Sequence, residues 1–104
     1  MKRVKRRYLA LQLESETLSS EREFMDAVWA SLTKLYGEVG ASLAGLVLIN
    51  FDGERKIFVV RSSLASLSMV RASLAAVTAV AGKAASVHVL SVSGTLKALY
   101  ANIG

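Results

Sequence analysis

The feature that most constrains this chain is a pair of apolar runs folded back across Asp52-Gly53. Leu46 to Asp52 is almost continuously apolar, and Lys56 to Arg61 follows at once. An Asp-Gly step between two such runs is a strong hairpin signal. A strand apolar on both sides needs cover on both faces. A lone hairpin is marginal in water, so the remaining chain has to supply that cover. At 104 residues it does so within one domain, which buries roughly 60–68% of its unfolded surface.

The flanking segments supply the layers. From Arg7 to Leu13, Leu9, Leu11 and Leu13 alternate with Tyr8, Ala10 and Gln12, a strand with one apolar face. Ser20-Glu21-Arg22-Glu23 has the form of a capping box. Phe24, Val28, Leu32 and Leu35 then repeat at helical spacing, and Gly37 is expected to stop that helix. The glycine-rich stretch 37–45 leaves room for one short helical turn. After the hairpin, Ser62 or Ser63 can cap a second helix with Leu64, Leu67, Val70, Leu74 and Val77 inward, ended by Gly82. Ala85 to Val92 reads as a fourth strand, and Ser93-Gly94-Thr95 opens a short last helix through Tyr100. The order βαββαβα predicts an α+β, ferredoxin-like sandwich resembling the RNA-recognition domain. Its sheet has four antiparallel strands, the first and third central, with two main helices plus a short C-terminal helix. Residues 1–6 are expected to form a basic tail and 7–104 the single domain.

Charge is segregated along this order. Residues 1–7 carry +5 (Lys2, Arg3, Lys5, Arg6, Arg7). Residues 8–54 hold all eight acids against Arg22 and Lys34, giving −6. Residues 55–104 carry +6 and no acid. Basic parts of this density meet polyanions, and the acidic middle meets protein or solvent. The chain has no cysteine, which excludes disulfides, thiol catalysis and cysteine-bound metals. That composition suits the cytoplasm. The longest apolar window, 64–81, holds Arg71 and several serines, so no membrane span is expected.

Catalytic groups are scarce. His88 is the only histidine, in a valine-rich edge strand with no acid within several residues. Glu21, Glu23 and Asp26 are accounted for by helix capping and the helix dipole. No metal-ligand spacing is present. Gly37-Glu38-Val39-Gly40 formally matches GxxG, but a glutamate in the loop would repel phosphate, and a tight helix-to-strand connection explains it. Base stacking on the sheet would need several aromatics, and the third strand offers Phe58 alone, with Tyr8 on the first. A sheet face this apolar is expected to lie under the last helix or another protein.

Two segments are candidates for polyanion contact. Five tail cations on phosphates of irregular RNA would give a salt slope of about −3.5. Ser93-Gly94-Thr95-Leu96-Lys97 offers helix-start amides, hydroxyls and a charge, the parts of a phosphate site. The same pattern also suits plain N-capping.

Three stretches resemble one family. KRRYLALQLES (5–15), LYGEVGASLAGLVLINFD (35–52) and VLSVSGTLKALY (89–100) are similar to archaeal ribonuclease P protein component 2, the counterpart of the eukaryotic Pop-five subunit. The resemblance implies an RNA-binding subunit of the endonuclease that removes the 5′ leader from precursor tRNA, itself without catalytic residues. It implies that the RNA performs the hydrolysis with magnesium, and that the protein binds no cofactor. The implied partners are ribonuclease P RNA, precursor tRNA indirectly, and a TIM-barrel-like protein subunit (component 3) in a two-plus-two heterotetramer. Arg6, Arg7, Arg61, Ser93, Gly94, Thr95 and Lys97 are the positions it places near RNA, beside the tail residues Lys2, Arg3 and Lys5. Leu64 to Met69 lacks the charges that many relatives carry on the second long helix, which points to a protein cover or a less charged surface there. A protein-only scaffold of the same fold, without RNA binding, is the alternative that the apolar sheet and acidic middle leave open.

Overall fold

The computed structural model describes residues 5–16 and 20–103. The elements are β1 (Arg6–Ser15), α1 (Glu21–Ala44), β2 (Val47–Asp52), β3 (Ile57–Ser63), a 3-10 turn (Leu64–Ser66), α2 (Leu67–Ala75), β4 (Ala79–Val80), β5 (Lys83–Ser93) and α3 (Leu96–Ile103). The sheet order is β2-β3-β1-β5-β4, with every pair antiparallel. As expected, the first and third strands are central.

The sheet has five strands rather than four. The second helix stops at Ala75, and the chain then forms the two-residue β4, which pairs through Ala79↔Ala84 and Val80↔Lys83. Ala81 and Gly82 between them both have positive φ, 52° and 78°. Two successive left-handed residues match the right-handed twist of paired strands. Gly82 therefore turns a hairpin instead of ending a helix. Ser62 and Ser63 do not cap either: Ser63 makes no capping bond to the turn that follows, and its hydroxyl donates to the Leu43 carbonyl at 3.3 Å.

One sheet face carries the main core. Ser20 caps α1 as read: its Oγ accepts from Glu23 N at 3.1 Å, and Glu23 Oε1 accepts from Ser20 N at 3.0 Å. Phe24, Val28 and Leu32 pack with Leu9, Leu11 and Leu13 of β1, Phe58 and Val60 of β3, and Val70 and Leu74 of α2. The Phe58 ring stacks on Phe24 and on Phe51, with centroids 3.8 Å and 4.3 Å apart. Ser31 Oγ donates to the Ser73 carbonyl at 2.7 Å, tying α1 to α2.

Gly37 breaks α1 without ending it. Its φ of 75° and ψ of 174° are non-helical, yet the helix resumes as far as Ala44. Gly40 sits inside the second segment, where an added Cβ would lie 2.8 Å from Tyr36 Cβ and 3.2 Å from Met69 Cε. The break changes the fate of the last turn before it: Leu35, expected inward, is exposed, as are Tyr36, Val39 and Leu43.

The opposite face is closed by α3. Leu99 is fully buried against Ala10 and Val59, with Tyr8, Ile49, Leu96 and Ile103 around it. Arg55 Nη2 donates to the Ile103 carbonyl at 2.9 Å, and Asn50 Nδ2 donates to Tyr100 Oη at 3.4 Å. The apolar open face is thus covered by the last helix, the first of the two covers expected. The β2–β3 hairpin forms, but its left-handed residue is Lys56 (φ 54°) and not the glycine. Asp52 Oδ1 accepts from Glu54 N (3.1 Å) and Arg55 N (3.2 Å), which closes the loop in place of a two-residue turn. Among the described residues, no helix is long and apolar enough to cross a membrane.

Candidate nucleic-acid interface

Strand register gathers residues that are far apart in sequence. Arg6 pairs with Ser63 and Arg7 with Ser62, while Tyr8 lies between Arg61 on β3 and Ser93 on β5. Val47 of β2 is the other neighbour of Arg61. One end of the sheet therefore holds Arg6, Arg7, Arg61 and Ser93, with Lys5 just before β1 and α3 starting just after β5. Alternation puts Arg61 on the α3 side, two residues beyond Val59. Lys2 and Arg3 lie outside the described residues. Lys5 and Arg6, placed in the tail by the sequence, are already tied to the fold: Leu64 N donates to the Lys5 carbonyl at 2.8 Å, and Arg6 opens β1.

The start of α3 is built from the predicted Ser-Gly-Thr segment. Thr95 Oγ1 accepts from Ala98 N at 3.2 Å, and its carbonyl accepts from Leu99 N at 3.1 Å. Ser93 Oγ accepts from Thr95 N at 3.4 Å. The hydroxyls are thus engaged in capping, the plainer of the two readings of this segment. Leu96 and Lys97 remain as the leading amides of the helix. The Arg7 guanidinium lies beside Gly94, whose added Cβ would sit 3.6 Å from Arg7 Nη1. Arg7 Nη1 itself donates to the Arg6 carbonyl at 2.9 Å. Lys97 is exposed in the first turn.

Among the described residues these cations have no carboxylate partners. The close contacts between a basic side chain and a carboxylate among those residues are Arg22–Asp26 at 3.9 Å and His88–Glu14 at 2.8 Å. Neither involves Lys5, Arg6, Arg7, Arg61 or Lys97. An arginine that is not neutralised internally retains its fork for an external anion. Arg61 differs in that its Nε is buried, with no hydrogen-bond partner among the described residues.

The other end of the sheet is different. Glu14 pairs with Ser86 across β1–β5, and Asp52 with Ile57 across β2–β3. His88 Nε2 lies 2.8 Å from Glu14 Oε2 and 3.4 Å from Ser86 Oγ. Along the chain His88 has no nearby acid, because Glu14 lies 74 residues earlier and only register brings it close. Serine and glutamate approach the same ring nitrogen, so the group lacks the opposed nitrogens of a nucleophile–base–orienter chain. At this end Lys56 Nζ donates to the Ser15 carbonyl at 2.6 Å, so that cation is internally engaged. Among the described residues, no three His, Cys, Asp or Glu side chains converge to hold a metal ion.

Base stacking on the sheet is sterically blocked. The central positions of the α3-side face are Ala10 and Val59, beneath Leu99, and Phe58 faces the main core instead. Tyr8 is the aromatic on that face of β1 and is packed against the same cluster.

The fold and this site together define a split-βαβ domain, closed on both sheet faces, with one cationic end whose arginines are in no ion pair among the described residues. Residues 7–103 match the Rpp14/Pop5 family, and the chain belongs to that family. It is 39% identical to ribonuclease P protein component 2 of Methanosarcina mazei, over 91% of this chain and 80% of that one. It is 34% identical to the protein of the same name from Pyrococcus furiosus, over 93% of this chain and 81% of that one. The fold also matches a chain in the cryo-electron microscopy structure of yeast ribonuclease MRP. The TM-score is 0.70 at 15% identity, covering 92% of this chain and 79% of that chain. The resemblance read from the three sequence segments is thereby shown.

Proposed function

We propose that this chain is an RNA-binding protein subunit of ribonuclease P, supporting RNA-catalysed removal of the 5′ leader from precursor tRNA in the cytoplasm. The observation that carries the reading is the cationic end formed by Arg6, Arg7, Arg61 and Lys97 in a family member whose archaeal relatives are named ribonuclease P components. In this reading the magnesium belongs to the RNA subunit, and the protein's part is to hold phosphates that would otherwise repel one another. A protein partner, the TIM-barrel-like component 3 in a two-plus-two assembly, belongs to the same proposal. The exposed Leu35, Tyr36, Val39 and Leu43 support a protein neighbour at the broken part of α1.

Reconstitution tests this. The purified chain alone is expected not to cleave precursor tRNA. Added with its partner protein to the cognate RNA, it is expected to lower the magnesium needed for cleavage. Lys97→Ala is expected to weaken that activation. No effect of the wild-type protein at any magnesium concentration contradicts the proposal. Unchanged activation by Lys97→Ala removes the role given to the start of α3.

A further inference from the structure

We propose that His88 Nε2, Glu14 Oε2 and Ser86 Oγ form an open site for a borderline divalent transition-metal ion of the zinc type, clamping β1 to β5. The site lies away from the cationic end of the sheet and does not rest on the RNA-binding role. Strand register builds it: Glu14 pairs with Ser86, and Gln12 with His88. Residues 86 and 88 alternate onto one face of β5, the face on which β1 carries Glu14. The three donor atoms close a triangle. Its sides are 2.8 Å from His88 to Glu14, 3.4 Å from Ser86 to His88 and 3.5 Å from Ser86 to Glu14. The two longer sides exceed the usual length of a hydroxyl hydrogen bond, so Ser86 Oγ is held near both partners and tightly bonded to neither. Donors of a tetrahedral zinc ion, with bonds of about 2.0–2.1 Å, lie about 3.3–3.4 Å apart. The circle through the three atoms has a radius of about 1.9 Å, so an ion just off their plane meets all three at bonding distance. Only the His88–Glu14 side has to open, by about 0.5 Å, to match that shell.

The donor types select the ion. An imidazole nitrogen beside a carboxylate suits zinc, copper or nickel, whereas magnesium takes oxygen ligands and keeps its waters. Binding requires a neutral ring with its proton on Nδ1, which leaves the Nε2 lone pair for the metal. An ion can reach the site from solvent, because the His88 and Glu14 side chains are 55% and 72% exposed. A hollow of about 720 Å³ adjoins it, lined by Glu14, Ser86, Glu16, Thr78 and Lys83 among others. Water entering from the hollow completes the shell, as at zinc sites with three protein ligands and one open position. One of the three donors is a hydroxyl, and Lys83 brings a like charge to the same hollow, so the affinity is expected to be modest. A plain hydrogen bond between imidazole and carboxylate uses the same atoms without a metal, and the two differ in what zinc does to them.

His88 is the only histidine, so its ring nitrogens report on the site without ambiguity. The untagged full-length chain, labelled with nitrogen-15 in histidine, is titrated with zinc chloride and separately with magnesium chloride. Zinc is expected to move the Nε2 signal saturably while Nδ1 stays protonated, and magnesium is expected to leave both in place. Calorimetry then compares variants. His88→Ala and Glu14→Gln are each expected to weaken zinc binding about ten-fold or more, and Ser86→Ala about two- to three-fold. Both larger effects come from exposed side chains, so the variants are expected to keep the wild-type circular dichroism spectrum. An Nε2 signal unmoved at about 1 mM zinc overturns the proposal, leaving a hydrogen bond alone. Zinc affinity unchanged in His88→Ala overturns it by placing the ion elsewhere. Zinc affinity lost in His88→Ala but unchanged in Glu14→Gln also overturns it, because a lone surface histidine then accounts for the binding.

Discussion

The two ends of one sheet differ more than its two faces. Both faces are closed, one by α1 and α2 and the other by α3. At one end the strands present Arg6, Arg7, Arg61 and Ser93 with no ion pair. At the other, Glu14 meets His88, Lys56 binds the Ser15 carbonyl and Arg55 binds the Ile103 carbonyl. In the proposed reading, this contrast is what lets one chain of modest net charge meet a polyanion. Glu14 and Asp52 lie at the end where Lys56 and Arg55 are used internally, and among the described residues no ion pair engages Arg6, Arg7 or Arg61 at the other.

The contrast can be broken outright by removing the scaffold. Phe58→Ala deletes the ring between Phe24 and Phe51 and is expected to cost about 3–5 kcal/mol. Urea unfolding would measure it, and a loss below about 1 kcal/mol would show that the stack does not organise the core. Next in size is the basic end itself. Arg6→Glu with Arg7→Glu and Lys97→Glu is expected to lower RNA affinity about a hundred-fold or more, with the salt slope shallower by about 2. Filter binding checks this, and an unchanged slope would place the RNA elsewhere. Thr95→Ala removes the cap of α3 and is expected to destabilise the domain by about 1 kcal/mol, read by thermal unfolding. The smallest effect is expected at the acidic end. Glu14→Gln weakens an exposed pair and is expected to change stability by less than about 1 kcal/mol while leaving RNA affinity equal or slightly higher. Weaker RNA binding by Glu14→Gln would blur the distinction between the ends.

Local signals were legible in the sequence because their partners are near in the chain. Ser20 and Glu23 are three residues apart, and Asp52 closes its loop on Glu54 and Arg55. The alternation of Leu9, Leu11 and Leu13 named the main-core face of β1 correctly, but Ala10 on the other face is buried too, beneath Leu99. The hidden parts depend on register or on very short segments. Ala79-Val80 is too brief to show a period, so β4 merged into the helix before it. Gly37 reads as a stop, although helix geometry resumes after one non-helical residue. For the candidate site, the residue types were visible and their assembly was not. Arg7, Arg61 and Ser93 are scattered in sequence, and they meet because Tyr8 pairs with both neighbouring strands. The distinction between a free cation and an engaged one, Arg61 against Arg55, exists only in three dimensions.

The location of the RNA is the claim on which the rest depends. It is tested most directly by titrating a short single-stranded RNA into the nitrogen-15-labelled full-length chain and following its backbone amides. The expected shifts fall on Arg6 to Tyr8, on Arg61, and on Ser93 to Lys97, with Glu14 and Asp52 to Lys56 unmoved. Shifts centred on Glu14 and Asp52, or none at any RNA concentration, would contradict the assignment of the basic end to RNA.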